Sequence, residues 1–105
     1  MERKKVIYIA GPVTGVEKYW EAFEKAEDEL TAAGYIPLSP ARLPWNLDNG
    51  KAMKICIAMI DAADAAFFIP GWSRSVGAQM ERAYCKYTEK PAAQTIEALK
   101  EVLGE

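Results

Sequence analysis

Short β-rich runs alternate with helical patterns along this chain, and no other property limits its fold so tightly. Val6-Ile7-Tyr8-Ile9-Ala10 ends at Gly11-Pro12 and reads as a central strand followed by a turn. Residues from about Glu17 to Ala33 read as a helix with Trp20, Phe23, Leu30 and Ala33 on one face and Glu21 and Lys25 as an i,i+4 pair. Gly34 is suited to end it. Tyr35 to Leu38 is a short second strand, and Ser39 to Gly50 a loop. Met53, Cys56, Ile57 and Ile60 mark a second helix. Asp64 to Ile69 forms the third strand, and a helix runs from about Ser75 to Tyr87 with apolar residues at Val76, Met80, Ala83, Tyr84 and Tyr87. Lys90 to Ala93 is a weak fourth strand, and Ile96, Leu99 and Leu103 give a last helix.

This order predicts an α/β, flavodoxin-like, three-layer sandwich: a parallel sheet of about four strands with helices on both faces. With 105 residues, half of them hydrophobic, a single domain over 1–105 is expected. A net charge of -2 gives no broad basic field and argues against nucleic acid as a partner. No apolar run approaches the ~20 residues of a membrane span. The N-terminal residues lack a signal-peptide pattern, so no membrane partner and a cytoplasmic location are expected. Cys56 and Cys85 fit buried, reduced thiols. There is no histidine, hence neither the usual general base nor the usual metal ligand, and no metal site is expected. The chain has neither a GxGxxG nor a Walker lysine motif, and no cofactor is expected.

Ligands of such sheets bind beyond the carboxyl ends of the strands, at the switch point. In a flavodoxin-like order that point lies between strands one and three. Two Gly/Ser/Thr loops would converge there, Gly11-Pro12-Val13-Thr14-Gly15 and Gly71-Trp72-Ser73-Arg74-Ser75. The second loop leads into a helix N-terminus, where anions bind. Ser73, Arg74 and Ser75 could hold a phosphate, with Gly77 just inside the helix; alternatively Ser73 or Ser75 is only an N-cap. Gly11 and Gly15 describe either a weak phosphate loop or an ordinary turn. Glu81 is the sharpest candidate for chemistry. Near a helix N-terminus it is stabilised as the anion, and an anionic carboxylate can attack an anomeric carbon or stabilise an oxocarbenium ion. The competing reading is a solvated glutamate paired with Lys86 or Arg82. Tyr8 could orient Glu81 across the crevice or serve only as a half-buried strand aromatic. Trp45 and Trp72 in loops suit either base stacking or covering the core. Asp61 and Asp64 bracket the end of helix two and read as turn residues, with Asp64 away from the crevice.

Tyr8-Ile9-Ala10-Gly11-Pro12 together with Pro70-Gly71-Trp72-Ser73-Arg74-Ser75-Val76-Gly77-Ala78-Gln79-Met80-Glu81 resembles the nucleoside 2-deoxyribosyltransferase-like superfamily. The likeness is to a small, often phage-encoded branch with a Pro-Gly-Trp-x-x-Ser-x-Gly-Ala-x-x-Glu signature, and it spans roughly residues 5 to 90. The resemblance implies a flavodoxin-like fold and a sugar–base bond as reaction centre, with Glu81 as nucleophile and Tyr8 as its support. Six residues before the glutamate, the transferases place an aspartate on the sugar 5′ hydroxyl; related nucleoside 5′-monophosphate N-glycosidases place a serine on phosphate. Ser75 tilts the choice toward a nucleotide. The family's helix-two aspartate, an acid–base group near the leaving base, corresponds to Cys56. Either another group such as Asp48 protonates the base, or the chain is a nucleotide-binding module that keeps the pocket without the chemistry. The resemblance also implies a homodimer or higher homo-oligomer, with a neighbouring subunit completing the pocket.

Overall fold

The computed structural model describes residues 3–105. Among them four strands form one all-parallel sheet, β1 (Val6–Ala10), β2 (Ile36–Leu38), β3 (Ala65–Phe68) and β4 (Ala92–Ala93), in the order β2-β1-β3-β4. The intervening helices are α1 (Tyr19–Ala32), α2 (Asn49–Ala62), α3 (Val76–Tyr87) and α4 (Ile96–Val102). Short 3-10 turns at Pro40–Arg42 and Trp72–Arg74 interrupt the loops after β2 and β3. This is the three-layer α/β sandwich the alternation predicts, and β4 is only two residues long.

The strict period of two along β1 divides the core. Ile7 and Ile9 pack with Phe23, Leu30 and Leu99 on the side of α1 and α4. Tyr8 and Ala10 pack with Cys56, Ile60 and Cys85 on the side of α2 and α3. Trp20 does not join α1's buried face, which is Phe23, Ala26 and Leu30. A larger departure lies in α3. Its apolar positions Val76, Met80, Ala83 and Tyr87 face solvent, and its inward face is Ala78, Glu81 and Cys85.

The helix starts are locally encoded. Asp48 caps α2, accepting the Lys51 N–H at 2.9 Å, and Thr95 caps α4. Asp64 stands at the amino end of the sheet, where its carboxylate accepts the Val6 N–H at 2.7 Å, and Asp61 accepts the Tyr84 hydroxyl. At the opposite end the β1 and β3 exits meet: Ile69 N–H donates to Ala10 O at 2.9 Å. A Cβ at Gly11 would lie 2.3 Å from Ile69 Cγ1, so only glycine permits this approach.

Candidate active site

Strand β1 delivers Tyr8 to the sheet face covered by α2 and α3, and α3 delivers Glu81 to meet it. The Tyr8 hydroxyl donates to Glu81 Oε2 at 2.8 Å. Tyr8 is fully buried and Glu81 is 6 % exposed. Glu81 makes no ion pair among the described residues, and the Arg82 guanidinium lies over the Phe68 ring, 5.9 Å from its centroid. The solvated pairing with Lys86 or Arg82 is therefore not what the fold adopts. Cys56, on α2, completes the cluster as a buried free thiol.

Two effects compete for the Glu81 proton. The helix N-terminus favours the anion, by about 0.3–1 kcal/mol for an exposed group within the first turn. Burial opposes it and prevails, pushing the carboxyl up to about 7, while the hydrogen bonds from Tyr8 and Cys56 pull it back down. Expecting the helix end to hold Glu81 as the anion therefore misjudges the balance, because Glu81 lies beyond the first turn and out of water. Burial, and then the neighbouring Glu81 charge, push the Tyr8 phenol up, so it stays a donor. Burial also pushes the Cys56 thiol up, which keeps it neutral. The arrangement is a carboxylate with one oxygen held by a phenol, able to ionise near neutral pH.

The residues around α3's first turn form a second group. Ser75 is its N-cap, accepting the Ala78 N–H at 3.2 Å. A Cβ at Gly77 would stand 3.5 Å from Met53 Cε, which brings the starts of α2 and α3 together. Gly71 has φ 89° and lies against both Arg74 Nη2 and Pro12 Cγ, so the two loops cross as expected. Trp72 packs edge-on to Phe68, with centroids 5.2 Å apart, and so covers the core. Trp45 is exposed. Ser73 offers its carbonyl to the Gln79 side chain. The missing Cβ of Gly11 points to Ile69 and Phe23 on the α1 side, away from Tyr8, and Gly15 (φ 78°) has open space where its Cβ would be.

Hollows mark the surface formed by the described residues. One of about 460 Å³ lies between α1, β2 and α2, beside the Glu27–Arg42 ion pair. Another, of about 290 Å³, lies at the ends of β3 and β4 and is lined by Phe68, Arg82, Gln94 and Thr95. Neither includes Tyr8 or Glu81. Arg82 and Gln94 were not foreseeable as lining residues, because neither carries a motif and only the strand order brings them together. Among the described residues no group of three or more His, Cys, Asp or Glu is arranged to hold a metal ion.

The sheet order and layers define a flavodoxin-like fold of the deoxyribosyltransferase type. Solved structures share it. One is a 2-desoxiribosyltransferase from Leishmania mexicana, with TM-score 0.68 and 23 % identity, covering 86 % of this chain and 63 % of the other. The second is a 2-deoxyribosyltransferase from Bacillus psychrosaccharolyticus, with TM-score 0.64 and 26 % identity, covering 83 % and 69 %. The chain thus spans less than two thirds of the Leishmania protein's length. Residues 5–93 match the family described as Domain of unknown function (DUF4406), and the chain belongs to that family. No curated protein matches the sequence.

Proposed function

We propose that this protein cleaves or exchanges the N-glycosidic bond of a nucleoside or nucleoside 5′-monophosphate. One observation carries the reading: a buried carboxylate, held by a phenol at 2.8 Å and without a cationic partner among the described residues, beside the loops of the sheet's switch point. Glu81 would attack C1′ through the oxygen that Tyr8 leaves free and form a glycosyl ester, which water or a second base resolves. The ester is uncharged, so its formation relieves the burial of charge that raises Glu81. Tyr8 acts as a positioning residue, fixing the carboxylate. Ser75, with Arg74 and the first N–H groups of α3, would take the 5′-phosphate, and Trp72, Ser73, Gly77 and Pro12 would frame it. No metal or cofactor is needed for this chemistry. The likeness to solved deoxyribosyltransferases supports a glycosyl-transfer-like activity of this kind.

A second reading is favoured by Cys56. A thiol stands where the resemblance expects an acid, so the chain could be a nucleotide-binding module that keeps the pocket only. Incubation with a panel of nucleosides and 5′-monophosphates separates the two. Free base released by the wild type and lost in Glu81→Gln supports the enzyme. Saturable binding without release supports the module.

A further inference from the structure

We propose that the preferred substrates are N-glycosides whose base is already cationic, namely pyridinium ribosides and their 5′-phosphates. This rests on the glycosidic-bond reading above and narrows it. The first ground is Glu81 itself. At 6 % exposure it accepts the Tyr8 hydroxyl and has no ion pair among the described residues. The neighbouring guanidinium, Arg82, is engaged on the Phe68 ring. A buried carboxylate without a cation is a costly arrangement that a cationic ligand would relieve. A pyridinium ring supplies that charge on the very atom bonded to C1′.

The second ground is the leaving group. A neutral purine or pyrimidine departs well only if an acid protonates it, and such an acid typically contributes ~10²–10⁴-fold. The cluster's donors do not meet that need. The Tyr8 proton is committed to Glu81. Cys56 offers a buried thiol, weakly acidic even when free, at about 8.5. Asp48 accepts the Lys51 N–H as the α2 cap, with the Lys51 ammonium 3.9 Å away. A pyridinium base needs no proton. As the Glu81–C1′ bond forms, the C1′–N bond breaks and its electron pair neutralises the ring nitrogen. Water then attacks C1′, the ester C–O bond returns its pair to Glu81, and one proton from the water passes to solvent.

The test uses the full chain with nicotinamide mononucleotide, AMP and dAMP, following free base by chromatography and subtracting spontaneous release. Nicotinamide should appear at least ~100-fold faster than adenine, the lower bound of what a missing acid forfeits. Cys56→Asp should narrow that ratio at least tenfold by restoring an acid. Should that variant not fold, binding decides: Glu81 should hold nicotinamide mononucleotide at least tenfold more tightly than its neutral 1,4-dihydro form. Adenine released from AMP or dAMP as fast as nicotinamide, or adenine alone, overturns this inference and leaves the broader function standing. Equal binding of the charged and neutral forms overturns it as well. Release of neither base, from any of the three, overturns both.

Discussion

Ionising Glu81 works against the folded state. Its carboxyl is raised from the ordinary 4.5 to about 7, so between those values the native chain binds more protons than the unfolded one. The stabilisation is complete below about 4.5 and is lost as pH rises through about 7. That difference is worth on the order of 3 kcal/mol. Glu81→Gln keeps an acceptor for Tyr8 and cannot ionise. Thermal unfolding at pH 8 should therefore rise by roughly 5–10 °C, taking only part of that energy as recovered, while base release is abolished. Melting curves at pH 5 and pH 8 check this, and an unchanged difference between the two pH values in the variant would assign the slope to another group. In the proposed reaction the same titration would set activity. The kcat/KM of the wild type should fall on the acid side of about 7. Tyr8→Phe removes a hydrogen bond that favours the anion, so this limb should move upward by about one pH unit or more, since bonds to charged groups are worth ~1.5–3 kcal/mol. A limb that stays in place would mean Tyr8 does not hold the ionised form. The residues of this pair were legible in the sequence, because each sits in a periodic element beside a switch-point loop. The size of the Glu81 perturbation was not. It depends on how deeply packing buries Glu81 beneath α2 and β1, which spacing does not encode.

At the scale of elements, α3 carries most of the candidate site and was half legible. Its start follows from Ser75, whose hydroxyl oxygen accepts the Ala78 N–H and leaves its own O–H free to donate. A phosphate at the switch point would receive that proton. A 5′-monophosphate should then bind about tenfold or more tightly than its nucleoside, as a charge-assisted bond of ~1.5–3 kcal/mol requires. Ser75→Asp keeps a cap and places a carboxylate against the phosphate, so the preference should reverse without loss of the fold. Calorimetric titration of both ligands against both proteins reads this directly, and equal affinities in the wild type would reduce Ser75 to a cap. What periodicity could not supply was the direction of the helix. Val76, Met80, Ala83 and Tyr87 have the spacing of a core face, yet the buried face is Ala78, Glu81 and Cys85. Apolar spacing identifies a face that seeks cover but not what covers it. Trp20 misleads in the same way on α1. The strands, by contrast, read plainly, because Val6–Ala10 and Ala65–Phe68 are apolar throughout, as strands covered on both faces must be.

For the whole molecule, the outward α3 stripe points to one arrangement. Val76, Met80 and Tyr87 are 80 %, 56 % and 90 % exposed, and Ile55, Ala58 and Ala62 of α2 are exposed in the same helical layer. An apolar surface spread over two adjacent helices is what a protein interface presents. The occupant we expect is a second copy. The stripe repeats at i, i+4, i+7 and i+11, which suits helix-on-helix packing about a two-fold axis. It lies on the face of α3 opposite Glu81, so a partner docked there would leave the buried pair untouched. A small domain with a limited core gains stability by the same contact. Light scattering at tens of micromolar should give twice the mass of the chain. Met80→Glu combined with Tyr87→Glu should give a monomer with an unchanged far-ultraviolet circular dichroism spectrum, because neither side chain contributes to the core. Base release should persist in that monomer, since Glu81 and Tyr8 lie on the inward side of α3. A wild type that scatters as a monomer would refute the pairing, and a monomeric variant without activity would show that the partner completes the site.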